Sequence, residues 1–418
     1  MKKQNLSFIF KIISLALIVG LVCTQVKKAN HVSTGLPMIS IDSVQATLLY
    51  DSTVSAKGTE VLQLVLEHCY SASGDEARAK GKVIAIGKLG AMISAGTKIR
   101  LYGSFSEGYF IFEEYQVINK TWINNMRERI MTFLEHRLDG SDANVLSMAL
   151  LLGRTEDRDF EIKDLAMSCG CIHVLALSGM HVGLLALFCY TILGKNKVSR
   201  IISCLVVICF GFIVGNRPSV IRAVLAFLLF WVPVKKRVPL CLLVQAIIAP
   251  LTLNEMGFIY SYLAIAALVY IEPHLEGCTS QIYEGFGKTI LSSVSVLILC
   301  APVQIINDGS WCPIALIVSP IAAFLASLSM TLGLLILIAG QLPILTFVNE
   351  VIYKAMYFVL SYFKDSPAAN WKGYVIFVCL AMCPVIINVF RCLFMHSKAK
   401  QNQGVIDLES VPNIEFQI

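Results

Sequence analysis

The chain has 418 residues, 56% of them hydrophobic and only 15% charged, whereas an ordinary soluble domain carries about 25% charged residues. Composition therefore excludes an ordinary soluble protein, and the formal net charge of +6 is too mild to imply nucleic acid by itself. It suits basic cytoplasmic loops between membrane spans, each of which takes roughly 20 apolar residues as helix.

Taken in chain order, the first segment is MKKQNLSFIFKIISLALIVGLVCTQ, a basic head followed by an apolar run. The run is long for a secretory signal, and Val22 before Cys23 is bulky for a cleavage site. We read residues 1–27 as an uncleaved signal anchor. Residues 28–120 are more polar and rich in turn residues, with short β-type runs such as VLQLVLEHCY, KVIAIG, KIRLYGSF and YFIFEEYQVI. Such spacing predicts a small all-β barrel or sandwich. Lys98, Arg100 and Tyr102 alternate along one run, so one strand face is expected to be basic and aromatic. That face suits single-stranded nucleic acid, but nearby acids such as Glu107, Glu113 and Glu114 leave the domain roughly neutral. Core packing of the aromatics is the competing reading.

Residues 121–170 read as polar or amphipathic helices at the membrane surface, for instance TWINNMRERIMTFLEHRL and NVLSMALLLG. Residues 171–396 form the multi-span region, with candidate spans at 171–194, 198–215, 218–234, 239–254, 256–273, 287–307, 320–341 and 371–395. Segment 343–363 is either a span or a surface helix, with Glu350 and Lys354 at i,i+4. Segment 311–320 is either a re-entrant turn or an extension of the next helix. The clusters Lys195/Lys197/Arg200 and Lys235/Lys236/Arg237 fall on one side, which the positive-inside rule places in the cytoplasm. Residues 28–170 are then extracytoplasmic, and 397–418 form a polar cytoplasmic tail.

The spans contain polar groups that a plain anchor does not need. The stretch HVLALSGMHVGLL carries His173, Ser178 and His181. On a continuous helix the two histidines are about 80° and about 12 Å apart, so they cannot share one metal. The fourteen cysteines are scattered, mostly in apolar runs, and form no zinc-type or disulfide framework with their neighbours. Ser178 and His181 at i,i+3 leave an intramembrane hydrolase open, although no orienting acid is evident. Gly179 and Gly183 permit close helix packing or a break. In GNRPSVIRAVLAF, Pro218 suits a helix start, and Arg222 lies a turn inside the apolar run, costly there unless paired, snorkelled or facing water. Arginines without matching carboxylates favour an anionic cargo. The GKT at 287–289 is not a nucleotide-binding loop, because Ile282 stands where a glycine is required. No ATP motor, metal site or cofactor is therefore expected in this chain.

The run LLLGRTEDRDFEIKDLAMSCGCIHVLALSGMHVGLL, with GNRPSVIRAVLAF, NEMGFIYSYLAIAAL and LCAPVQIINDGSWCPIALIVSP in the same order, resembles the ComEC family of competence-type DNA-uptake channels. The resemblance implies a polytopic α-helical protein of the cytoplasmic membrane with a small extracytoplasmic OB-like domain. It implies a channel that passes single-stranded DNA inward, with separate uptake and motor proteins as partners and a homo-oligomer as one arrangement. Carried over by position, the path falls on His173, Ser178, His181, Arg217 and Arg222, and the packing or helix-break positions on Gly179, Gly183 and Pro218. Lys98, Arg100 and Tyr102 become the possible DNA contact on the OB-like domain. The chain is expected to lack the metallo-β-lactamase-like domain that many members carry. The rival readings are the Ser–His hydrolase and a non-transporting remnant or assembly protein.

Overall fold

The computed structural model describes residues 32–54, 59–88, 93–106, 108–138, 140–153, 161–175, 179–194, 196–215, 217–273, 275 and 286–381. The expected anchor at 1–27, the expected tail at 397–418, Ser178 and Lys195 lie outside these residues. The described residues fall into two compact units, one within Met1–Tyr262 and Ile321–Ser366, the other within Leu263–Pro320 and Pro367–Ile418.

The first unit opens with seven strands: β1 (Ile41–Leu48), β2 (Thr53–Val54), β3 (Glu60–Ser71), β4 (Glu76–Arg78), β5 (Lys82–Gly87), β6 (Lys98–Ser106) and β7 (Tyr109–Asn119). β1 pairs antiparallel with β3, β3 antiparallel with β5, and β5 parallel with β7. β7 then pairs antiparallel with β6, and β6 antiparallel with β1. The five long strands thus close into a ring, which leaves none of them with a bare edge. The period of two does the rest: Val44, Ala46, Leu62, Leu64, Ile99, Leu101, Phe110 and Phe112 point inward and are buried. Each fully buried Val, Leu, Ile or Phe side chain among them stabilises the barrel by about 1.5–3 kcal/mol. Cys69 joins this core, where burial pushes its thiol up to about 11. Gly103 sits at a register shift between β6 and β7, and the Ile111 carbonyl leaves no room there for a Cβ.

Helices follow. α1 (Trp122–Arg137) is capped by Thr121, whose hydroxyl accepts from the Asn124 N–H. α2 (Asp142–Leu152) is capped by Ser141 and ends at Gly153, with φ 70°. Most of α1 is exposed, but ten of the 11 residues of α2 are buried, so α2 is covered on every side rather than lying on a surface. Its Ser147 explains how it is held. The Ser147 and Ser329 hydroxyls are 3.0 Å apart, and Asn349 donates to Ser147 Oγ at 2.9 Å and to the Ala143 carbonyl at 3.0 Å. Ser329 in turn donates to Asn349 Oδ1 at 3.0 Å. All three side chains are fully buried, and an orphaned group there costs about 1–3 kcal/mol.

Next come α3 (Glu161–Ser168), α4 (Ile172–Leu175), α5 (Gly179–Leu193), α6 (Lys197–Val214), α7 (Pro218–Leu228), α8 (Val234–Ile248) and α9 (Met256–Ala266). α10 (Phe286–Asp308), α11 (Ala315–Ala339) and α12 (Pro343–Phe363) follow, and Trp371–Ala381 is a shorter apolar helix, α13. Five helices among the described residues are long and apolar enough to cross a membrane: Ile172–Leu193, Lys197–Val214, Lys288–Asp308, Ala315–Ala339 and Pro343–Phe363. Segment 343–363 is thus one helix of spanning length. Segment 311–320 extends the next helix from Ala315 rather than forming a separate re-entrant element. The expected spans at 218–234 and 239–254 are shorter. α7 stops at Leu228, Pro233 precedes α8, and an 11-residue helix covers only about 16 Å.

One arginine from each basic cluster reaches Phe230. The Arg200 guanidinium lies 4.7 Å from the Phe230 ring centre, and Arg237 donates to the Phe230 carbonyl at 2.6 Å. In the second unit, Trp311 and Ala369 exchange backbone hydrogen bonds, and Leu297, Ala301, Ile305, Trp311 and Ala315 form a core with Tyr374 and Phe377 packed on it. The chain is a polytopic helical membrane protein with a small all-β domain.

Candidate functional site

α7 begins where Pro218 supplies the first helical residue. Arg222 follows just over one turn later and points to the start of α5. A Cβ on Gly179 would lie 2.8 Å from Arg222 Nη2 and 3.8 Å from the Ala223 Cβ. Glycine at 179 therefore makes the space in which the guanidinium lies. Gly183 makes no such approach, since a Cβ there meets nothing within 4 Å among the described residues. The Arg222 Nε is buried and has no hydrogen-bond partner among the described residues. The groups within reach of its charge are Tyr262 and Cys241, both uncharged in their ordinary state. Tyr262 donates to Gln245 Oε1 at 3.0 Å, and Gln245 donates to the Pro218 carbonyl at 3.1 Å. α5, α7, α8 and α9 thus converge on one arginine through a set of neutral polar groups.

The other expected path residues divide. His181 on α5 is fully buried, and the His173 ring on α4 is hydrogen-bonded to the Gly170 backbone. Arg217 does not join Arg222. It caps no N–H of α7 and instead donates from Nη2 to the Gly153 carbonyl at 2.8 Å, at the C-terminal end of α2. Cations at that end of a helix are favoured by its dipole. Tyr50 lies close by, where burial pushes its hydroxyl up to about 12 and Arg217 pulls the other way.

Around this turn lies a cluster that the sequence reading missed. Arg127 on α1 donates to Asp51 Oδ1 at 2.7 Å and Oδ2 at 2.8 Å, and its Nε donates to the Ile213 carbonyl at 2.7 Å. The two side chains are 3% and 6% exposed, so removing either one strands a buried charge. Asp51 also accepts from the Ala95 N–H at 2.8 Å. Gly215, at φ 89°, closes α6 beside it, and a Cβ there would lie 2.8 Å from Arg127 Nη2. A second ion pair, Lys82 on β5 with Glu255 ahead of α9, also joins barrel to helices. Burial holds the Lys82 ammonium below the usual lysine range. The barrel is thus tied through Asp51 and Arg127 to the end of α6, and through Lys82 to Glu255. One clue was available: Arg127 shares a helix face with the buried Asn124 and Met131.

On the barrel, Lys98, Arg100 and Tyr102 do share the outward face of β6, between the buried Ile99 and Leu101. Arg100 lies 3.8 Å from the Tyr70 ring centre and 5.5 Å from that of Tyr102, and donates to Ser43 at 3.3 Å. Tyr70, from β3, was not legible as part of this face. Lys98 is taken up by Glu67 at 2.9 Å, which also accepts from Thr47 at 2.7 Å. Burial raises the Glu67 pKa, but the hydrogen bonds from Lys98 and Thr47 and the Lys98 charge together bring it below the usual carboxylate range. The face therefore presents stacked aromatic and guanidinium planes with half its positive charge already paired.

Comparison with known proteins bears on the helical region. A family model described as Competence protein matches residues 150–398, well over half of the chain. An uncharacterized protein of Aquifex aeolicus (strain VF5) is 24% identical over 261 residues, 58% of this chain and 59% of that relative. The chain thus aligns with less than two thirds of that protein's length. No solved structure matches. The family match takes in the whole Gly179–Arg222 arrangement, and the chain belongs to the competence protein family of the ComEC type.

Proposed function

We propose that this chain is a channel of the cytoplasmic membrane that passes one strand of DNA inward during DNA uptake. Membership of the competence family over residues 150–398 carries this reading. The arrangement around Arg222 is consistent with it. A guanidinium held among neutral groups keeps its positive charge available to a passing phosphate. His181 and Gly179 shape the same part of the path, and Arg217 holds the α6–α7 turn from which Arg222 projects. His173, which the family motif also marks, belongs to the same proposed path.

The basic ends of α6 and α8 face the cytoplasm in this reading, so the barrel stands outside. Its strand order β1-β3-β5-β7-β6, with β5 and β7 parallel, supports the OB-like assignment. The Tyr70–Arg100–Tyr102 stack suits unpaired bases, which stack on aromatic and guanidinium planes. Lys98 adds a phosphate contact once it exchanges Glu67 for the strand. The pulling force comes from separate motor and uptake proteins, and the chain performs no chemistry on DNA.

The test is entry of fluorescent DNA into the cytoplasm of a deletion strain complemented with wild-type or variant gene, with surface-bound DNA scored separately. Loss of cytoplasmic signal with retained surface signal in the deletion strain and in Arg222→Ala supports the channel. Unchanged entry in the deletion strain overturns it in favour of a remnant or assembly protein. If Ser178→Ala abolishes labelling by a serine-reactive probe, the hydrolase reading replaces it.

A further inference from the structure

The helix α1 has a face that neither the barrel nor the bundle covers. At about 100° per residue, its buried side holds Asn124, Arg127 and Met131. On the opposite side Trp122, Met126 and Phe133 fall within about 40° of one another, and they are 74%, 38% and 59% exposed. Arg129 and Arg137 flank this stripe, both exposed, with the Arg137 guanidinium 5.5 Å from the Phe133 ring centre. The carboxylates lie elsewhere: Glu128 and Glu135 sit toward the buried side, and Glu128 pairs with Lys120.

The position of α1 is fixed at two points. Arg127 bonds the Ile213 carbonyl at the C-terminal end of α6. Ten residues on, about 15 Å along the helix, the Arg137 carbonyl accepts from Gln341 at 3.2 Å and its guanidinium reaches the Leu337 carbonyl at 3.5 Å, at the C-terminal end of α11. Both partners are helices of membrane-spanning length. α1 therefore lies across the ends of two helices of membrane-spanning length.

We propose that the outward face of α1 is a lipid-docking surface. Trp122, Met126 and Phe133 enter the boundary between headgroups and acyl chains, and Arg129 and Arg137 bind anionic phospholipid headgroups. An aromatic stripe flanked by cations is the pattern of a helix lying in the interface, about 5–10 Å deep. The occupant follows from continuity with the lipid-facing spans and from the one-sided positive charge. The inner side of the same helix grips the barrel through Arg127 and Asp51, so the bilayer surface sets the height at which the barrel is held. The inference does not depend on what the bundle transports.

The test uses the full chain in nanodiscs. Trp122 is one of four tryptophans, so its share of the fluorescence is taken as the difference between wild type and Trp122→Phe. Lipids brominated near the head of the acyl chain should quench that share more strongly than lipids brominated near its tail, and aqueous iodide should leave it unchanged. Quenching by iodide alone would place Trp122 in water. Protection from both iodide and bromolipid would mean that a second copy or another protein covers the face; either result overturns the proposal. In a second arm, anionic phospholipid should increase the bromolipid quenching of wild type but not of Arg129→Gln/Arg137→Gln. An equal response of the two proteins would overturn the headgroup assignment.

Discussion

Two arginines, Arg100 on the barrel and Arg222 in the helices, meet similar neighbours under opposite conditions. Arg100 is stacked between Tyr70 and Tyr102 on a solvated face, with Ser43 accepting from it and Glu67 neutralising the adjacent Lys98. Arg222 lies against Gly179 with Tyr262 and Cys241 within reach of its charge. The barrel can lose or exchange a partner cheaply, because water and neighbouring acids share the charge. The helical region cannot, because a guanidinium in a low-dielectric setting acts at full strength on whatever anion comes near. Under the proposed function this gives a division of labour, with a weak, adaptable grip on DNA at the barrel and a strong, positional one in the bundle.

The largest expected effect breaks the bundle side of that comparison. Arg222→Ala should abolish DNA entry while immunoblots of membranes show unchanged protein, and Arg222→Lys should restore little, since one ammonium replaces a planar fork. Breaking the link between the two regions comes next. Arg127→Ala removes the guanidinium that neutralises the buried Asp51 carboxylate and should cost about 3–5 kcal/mol, read as a lower melting temperature in detergent. Asp51→Asn added to Arg127→Ala should recover part of that loss. Gly179→Ala sharpens the comparison by moving Arg222 rather than removing it. Its Cβ meets the flexible end of the side chain, so folding should be nearly unchanged while uptake falls measurably below wild type.

On the barrel, Arg100→Ala should weaken binding of single-stranded DNA without abolishing it. The loss is about 0.5–1 kcal/mol for a cation–π contact at an exposed site, and the slope of affinity against salt should shrink by about one phosphate contact. Titration of binding across ionic strengths checks both. The smallest effect is acid dependence at Glu67. Its folded pKa is depressed, so it contributes stability above the unfolded carboxylate value, and this is lost as pH falls through the folded value. Wild type should therefore lose slightly more stability on acidification than Glu67→Gln, as pH-dependent melts of the full chain would record.

Much of the architecture was legible because periodicity is local. The barrel strands alternate with a period of two, which placed Lys98, Arg100 and Tyr102 outside and Ile99 and Leu101 inside. The long apolar runs announced the spans, and the positive clusters announced which helix ends belong together. The α2 helix was harder. A helix at the membrane surface was expected there, yet its Ser147 and Asn144 are bonded inward to Ser329 and Asn349, about 200 residues away. Lengths at 218–234 and 239–254 were overstated because hydropathy does not register that α7 ends at Leu228 or that α8 ends at Ile248 ahead of Pro250.

By itself the sequence determined that this chain is a multi-span helical protein with a small β domain, and which apolar runs carry polar groups worth attention. Those properties follow from burial and from repeat periods of two and 3.6, both readable within a few residues. Only the tertiary structure decided which polar groups meet. Arg222 found Gly179, Arg217 found Gly153 instead of the same pocket, and Arg127 reached Asp51 across 76 positions. Buried charges are costly until paired or sheltered, and the partner is whichever group the packing of helix ends and strands brings within about 3 Å.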